Sequence, residues 1–431
     1  SNLGGHCMET LVEAFDAAMD DVPTLFVAWT VKGYGLPFAG HKDNHSGLMN
    51  PTQAHAMRDE FGIAEGDEWN PLAGIGGNAR AGVEALIAAT RIRRDKRARD
   101  FGAIPIPAIP APTGDEQSTQ AAFGRILLDL AKAGGELAER IVTTSPDVTV
   151  STNLGGWVNQ RGLFKRRAMA DVFAAAKIPS AQKWSATNKG QHIELGIAES
   201  NLFLMLAALG LSGDLFGRRL VPIGTLYDPF IARGLDSLNY ACYQDARFLL
   251  VATPSGITLG PEGGAHQSIN PPLIALGQPG LRHYEPAFAD ELAAMIAEAF
   301  RLIDDPAGES TYLRLSTRSI AQQTRANDDW KAGAIAGAYW LRDPGPNAEA
   351  AIVAMGALMP EALAAHEELA ADIPGLGLLA VTSPDLLHRG WTAAQASRWS
   401  GNHQPSHIEQ TLSRLSPNAG LVTLCDAAPA S

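Results

Sequence analysis

With 431 residues, 46% of them hydrophobic and 19% charged, the chain has material for roughly two to four domains. That composition excludes a disordered chain. The formal net charge of -12 argues against a general binder of nucleic acid or anionic membranes. No apolar run reaches the length of a membrane span, and three scattered cysteines, Cys7, Cys242 and Cys425, suit a reduced cytoplasmic protein.

Residues 7–20 have helical periodicity, with Met8, Leu11, Val12 and Phe15 on one face. "PTLFVAWTV" (23–31) is a short unbroken apolar run, the pattern of a strand buried on both faces. "KGYGLPFAGHKDNHSGLMN" follows as a long loop rich in Gly, His and Asn, and a helix is expected at about 51–60. Residues 67–117 change in composition and read as a linker. Gly74, Gly76 and Gly77 precede a helix at 79–90, "RIRRDKRARD" (91–100) reads as a solvated helix face, and "IPIPAIPAP" reads as an extended connection.

"STQAAFGRILLDLAKAG" restarts the fold at 118 with a capped amphipathic helix. Strand-like runs "RIVTTS", "LVPIG", "ARFLLVAT" and "STYLRLS" then alternate with helices at about 198–211, 228–243 and 288–303. A third βα unit starts near 348. The fold class expected is α/β, with doubly wound parallel sheets in more than one domain. The boundaries expected are 1–66, a linker over 67–117, then 118–325 and 326–431. The chain opens without Met on a loop that runs into a helix, and closes on a strand with nothing to cross back to it. It reads as an internal segment of a longer protein.

Three clusters can carry chemistry. His41 and His45 lie in the first Gly-rich loop. Glu199 stands at a helix start in "HIELGIAES". Glu262, His266 and Gln267 lie in "ATPSGITLGPEGGAHQSINPP", after a strand. Ligands of open α/β sheets bind beyond the carboxyl ends of strands, where the first and third clusters fall. Taken singly each signal is weak, because a helix-start Glu is often a dipole partner and a loop His often bland. No CxxC, HExxH, GxSxG or P-loop pattern is present.

Together these motifs resemble those of the thiamine-diphosphate enzymes of the transketolase and homodimeric pyruvate dehydrogenase type. "TVKGYG" with its His-containing loop resembles the end of the family's diphosphate-binding domain. "GIAE" resembles its "GINE" or "GVRE" element, and "LGPEGGAHQ" resembles "LGEDGPTHQ". The resemblance covers nearly the whole chain and implies a thiamine-diphosphate-binding fold. It makes 1–66 the end of the diphosphate-binding domain, 118–325 the pyrimidine-binding domain, and 326–431 a transketolase-like carboxyl-terminal domain. It also implies that Glu199 bonds a ring nitrogen of the cofactor's aminopyrimidine, an acid–base task that a carboxylate in an apolar wall suits.

By the same resemblance Tyr227 and Phe230 cover the aminopyrimidine, with ordinary core packing as their bland alternative. Asp147 lies near the thiazolium. His266 and His45 manage protons at the reacting carbonyl, and His6 is structural. Glu194 is a supporting or interface residue. His41, Glu262 and Arg318 are substrate-binding candidates. Mg²⁺ is implied with the cofactor, but its "GDG…N" ligand element does not occur here and is expected upstream, so no metal ligand is assigned. A homodimer is implied, with no nucleic-acid or membrane partner.

"KGYGL", "GIAES" and "HYEPAFADELAAMI" resemble the dehydrogenase branch, which implies decarboxylation of a 2-oxo acid, pyruvate, and transfer to a lipoyl acyltransferase. Gln120 stands where transketolases carry a phosphate-binding arginine. "SPDVTVSTNL", "EGGAHQS" and Arg318 instead resemble transketolases, which makes ketol transfer between sugar phosphates the alternative. A noncatalytic assembly subunit of the same fold is the reading from another class.

Overall fold

The computed structural model describes residues 4–19, 22–89, 102–167, 170, 172–180 and 182–429. The charged run at 91–100 lies outside the described residues. The chain divides into two compact units, residues 1–91 and 92–431.

The first unit holds helices Met8–Asp16, Pro51–Glu60 and Gly77–Ala89 and the 3-10 turn Lys42–His45. The middle helix starts where its sequence says it should. Pro51 takes the first turn, and Asn50 and Gln53 bond each other's backbone N–H groups at 2.9 and 3.0 Å. The strand expected at 23–31 does not form. Leu25, Val27 and Trp29 are 87%, 74% and 69% exposed, and no described residue of this unit is buried. A parallel strand takes its hydrogen bonds from neighbours, and among the described residues no strand pairs with this segment. It is held locally instead, by the Val31 N–H donating to His6 Nε2 at 2.7 Å and by close approach of the Gly5 backbone to the Trp29 carbonyl.

The second unit is built on an eight-stranded, all-parallel sheet. From edge to edge its strands are Ala186–Thr187, Leu163–Phe164, His192–Glu194, Ile141–Ser145, Val221–Leu226, Leu249–Ala252, Ser310–Arg314 and Leu281–Tyr284. Alternate residues of one strand face opposite layers. Leu249 and Val251 join a core with helices Thr119–Ala133 and Ala289–Asp304, and Leu250 and Ala252 join another with Glu199–Gly210 and Leu235–Tyr243. Helices on both faces make the fold doubly wound. The helix expected to start at 118 is capped there, with Ser118 Oγ accepting the Ala121 N–H at 3.1 Å.

A four-stranded sheet follows in the order Ala338–Arg342, Gly377–Val381, Ala348–Met355, Leu415–Leu424. Its first strand is antiparallel to its neighbour and the others are parallel. Residue 325 falls between the two sheets, yet Tyr339, Ile352 and Leu378 share one hydrophobic cluster with Phe288, Ile296 and Leu313. Residues 102–117 also pack on this unit. Ile104 is buried, its N–H donates to Asp304 at 2.9 Å, and Glu116–Gln117 pairs antiparallel with Ile320–Ala321. The expected linker therefore has two halves, a helix in the first unit and an extended segment docked on the second. Among the described residues no helix is long and apolar enough to cross a membrane.

Candidate active site

Strand Val221–Leu226 is buried throughout and ends on Tyr227. The chain then turns through the short helix Asp228–Gly234, which carries Phe230 and Arg233. Tyr227 and Phe230 lie nearly parallel, at 4° with centroids 6.0 Å apart. His266, from the turn Gly264–His266, meets both rings at 6.1 and 5.3 Å. Its Nδ1 is buried with no hydrogen-bond partner among the described residues, and its Nε2 lies 3.8 Å from the Glu262 carboxylate.

Glu199 is the first residue of helix Glu199–Gly210 and is buried. Its Oε1 accepts from Arg233 Nη1 at 2.7 Å, and the Arg233 guanidinium lies 4.0 Å over the Phe230 ring. The structure thus groups Glu199, Tyr227, Phe230, His266 and Glu262 around one aromatic patch. Arg233 was not foreseen. An arginine three residues after an aromatic is unremarkable in sequence, and only the fold turns it toward Glu199.

Asp147 lies on the loop after strand Ile141–Ser145, exposed and in the left-handed conformation at φ +64°. Its N–H donates to Glu194 Oε1 at 2.8 Å. That oxygen also accepts from the N–H groups of Leu195 and Gly196 at 3.0 and 3.1 Å, and Oε2 accepts from Thr149 Oγ1 at 2.6 Å. Burial opposes ionisation of Glu194. The bonds from His192, Thr149 and the backbone outweigh it and pull the carboxyl down to about 2.

Beneath the aromatic patch lies a buried charge cluster that sequence reasoning missed. Arg314 donates to Asp228 at 3.0 Å and to both oxygens of Glu285 at 3.0 and 2.9 Å, while Tyr312 donates to Asp228 at 2.7 Å. Burial pushes the Asp228 and Glu285 carboxyls up, against the pull of Arg314. Asp426 lies 4.0 Å from Arg314 Nη2 and accepts the Ile257 N–H at 2.6 Å, which ties the chain's last described stretch to the helix that bears Glu262. The signal available in sequence was Arg314 itself, a cation inside the strand run "STYLRLS".

The remaining candidates make their contacts elsewhere. Arg318 forms a bidentate pair with Glu361 at 2.9 and 2.7 Å and also bonds the Ala357 carbonyl. Gln120 gives its side-chain amide to the Ser151 carbonyl at 2.8 Å. Within the first unit, Lys32 Nζ donates to His45 Nδ1 at 2.7 Å, and His41 Nδ1 accepts the Asp43 N–H at 3.2 Å. The His6 ring stacks on Tyr34 at 3.9 Å.

An open parallel sheet with aromatic, imidazole and carboxylate groups gathered beyond its strand ends is the arrangement in which α/β proteins bind ligands. Residues 108–317 match the family model of the pyruvate dehydrogenase E1 component middle domain. The chain is 26% identical to a pyruvate dehydrogenase E1 component of Pseudomonas aeruginosa, over 95% of this chain and 49% of that protein. It is 27% identical to one of Mycolicibacterium smegmatis, over 97% and 48%. A transketolase of Cereibacter sphaeroides is 26% identical over 88% of this chain and 55% of its own length. The transketolase structure from Leishmania mexicana shares the fold with a TM-score of 0.64 at 18% identity, over 96% of this chain and 57% of that one.

Over residues 108–317 the chain matches the pyruvate dehydrogenase E1 middle-domain family, and over most of its length it is similar to pyruvate dehydrogenase E1 components and transketolases. It spans about half the length of the curated pyruvate dehydrogenase E1 relatives it matches.

Proposed function

We propose that this chain forms part of a thiamine-diphosphate-dependent enzyme, the decarboxylating component of a pyruvate dehydrogenase complex. In this reading it works as a cytoplasmic homodimer, with Mg²⁺ beside the cofactor and a lipoyl acyltransferase as acceptor. One observation carries it: a buried carboxylate, Glu199, is joined through Arg233 to the Tyr227–Phe230 aromatic pair, beside a His266 nitrogen that has no partner among the described residues. These groups suit the pyrimidine end of such a cofactor, with Tyr227 and Phe230 as the stacking surface and Asp147 near its other ring. When bound, thiamine diphosphate supplies an electron sink for decarboxylation.

The chain's own residues then have distinct tasks. Glu199 exchanges a proton with a ring nitrogen of the pyrimidine. Arg233, stacked on Phe230, holds the Glu199 carboxylate in place. His266 moves a proton at the substrate oxygen, steadied by Glu262, and His45 is the proton-transfer candidate of the first unit. His41 contacts substrate. Arg318 was a further substrate candidate, but its fork is already spent on Glu361, which weakens its use as a phosphate clamp.

The transketolase reading keeps support from the Cereibacter sphaeroides relative. The test gives the native protein pyruvate with an artificial electron acceptor, or xylulose 5-phosphate with ribose 5-phosphate. Pyruvate-dependent dye reduction is expected, and Glu199→Gln should lower it by about 10²–10⁴-fold without changing the unfolding midpoint. Sedoheptulose 7-phosphate formation without dye reduction would establish ketol transfer instead.

A further inference from the structure

Strands Ile141–Ser145 and His192–Glu194 are parallel neighbours, and Ser145 pairs with Glu194 at their carboxyl ends. Past that point the ladder stops and two loops leave the sheet. One carries Asp147, and the other leads through Gly196 to Glu199. Both turn through the left-handed region, at φ +64° for Asp147 and +67° for Gly196. For a non-glycine residue such as Asp147 that conformation is disfavoured and needs a partner to hold it.

Glu194 bonds both loops at once. Its Oε1 gathers the N–H groups of Asp147, Leu195 and Gly196, and its Oε2 takes the Thr149 hydroxyl. The hydroxyl has one proton to give. With that proton on the carboxylate at 2.6 Å, Thr149 Oγ1 accepts from His192 Nε2 at 3.0 Å. His192 Nδ1 is then left to accept from Thr143 Oγ1 at 2.9 Å. Since His192 is fully buried, the chain of bonds runs from the sheet interior to the loop tips, each member fixing the next.

We infer that Glu194 is a positioning residue, whose carboxylate sets the separation and orientation of the Asp147 loop and the Glu199 helix start and so presets both for the cofactor. This rests on the function proposed above. It goes beyond it by assigning the preorganisation of the site to a residue that need not touch the cofactor at all.

The test uses the native protein and two variants, Glu194→Ala and Glu194→Gln. Glutamine keeps a carbonyl oxygen for the three N–H donors, whereas alanine keeps none. Two readouts are taken: hydrogen exchange at the amides of Asp147 and Gly196, and calorimetric titration with thiamine diphosphate and Mg²⁺. Glu194→Ala is expected to lose protection at both amides and to bind about ten- to a hundredfold more weakly. Glu194→Gln should recover most of both. Where Glu194→Ala does not fold, Thr149→Val removes the Oε2 anchor together with the hydroxyl that accepts from His192 Nε2, and should weaken binding several-fold. Wild-type affinity in Glu194→Ala, or in Thr149→Val where the alanine variant does not fold, would overturn the assignment. So would equal losses in Glu194→Ala and Glu194→Gln with both amides still protected. A wild-type protein that itself fails to bind thiamine diphosphate would overturn the functional reading, and the positioning role with it.

Discussion

Segment 23–31 of the first unit and strand Leu249–Ala252 of the second are both short apolar runs that follow a helix and a turn. The second has hydrogen-bonded neighbours on both sides and is fully buried. The first has no ladder partner among the described residues, and its Leu25, Val27 and Trp29 face solvent. An apolar run states a preference for burial, and a sheet has to be present before that preference becomes a strand. The two units differ in their charges in the same way. The second encloses Arg314 with Asp228 and Glu285, whereas the Lys32–His45 contact of the first is exposed.

The contrast should be visible in stability. Arg314→Met leaves Asp228 and Glu285 buried without their cation, and urea unfolding is expected to show a loss of about 3–5 kcal/mol. A loss under 1 kcal/mol would mean that the cluster is hydrated or mostly protonated.

A smaller effect depends on pH. Burial first, and then the nearby Arg314 charge, push the His283 imidazole down to about 3. An unfolded histidine titrates near 6.5. Between these values the unfolded chain takes up a proton that the folded chain refuses. The stability contribution is therefore complete above about pH 6.5 and falls as the pH drops toward 3, by about 1.4 kcal/mol per pH unit. His283→Phe keeps a ring to stack on Tyr312 and should remove one proton's worth of that slope. An unchanged slope between pH 6 and 4, read from unfolding midpoints, would place the proton uptake on another group.

The smallest change is expected in the first unit. Val27→Ser alters a side chain that is 74% exposed, and unfolding of the chain should shift by no more than about 0.5 kcal/mol. A loss like that of a core substitution would show that this surface is covered in the working protein.

Sequence alone determined the alternation of strands and helices from 118 onward, the capped helix start at 118 and the helix at about 51–60, because these follow from side-chain period and short-range hydrogen bonding. Glu199, Tyr227, Phe230 and His266 could be picked out through motifs, but the meeting of the two aromatic rings with His266 came only from the fold. The strands Leu163–Phe164, Ala186–Thr187 and His192–Glu194 were not legible, because segments of two or three residues carry no usable period. Nor was the antiparallel strand Ala338–Arg342, whose place depends on a partner about forty residues later in the chain. Tertiary structure alone decided the pairing of Arg233 with Glu199, the burial of Arg314 among acids, the grip of Glu194 on two loops, and the exposure of segment 23–31. Each of these is set by groups far apart in the chain, and their distances and solvent access exist only once the sheet has brought the strand ends together.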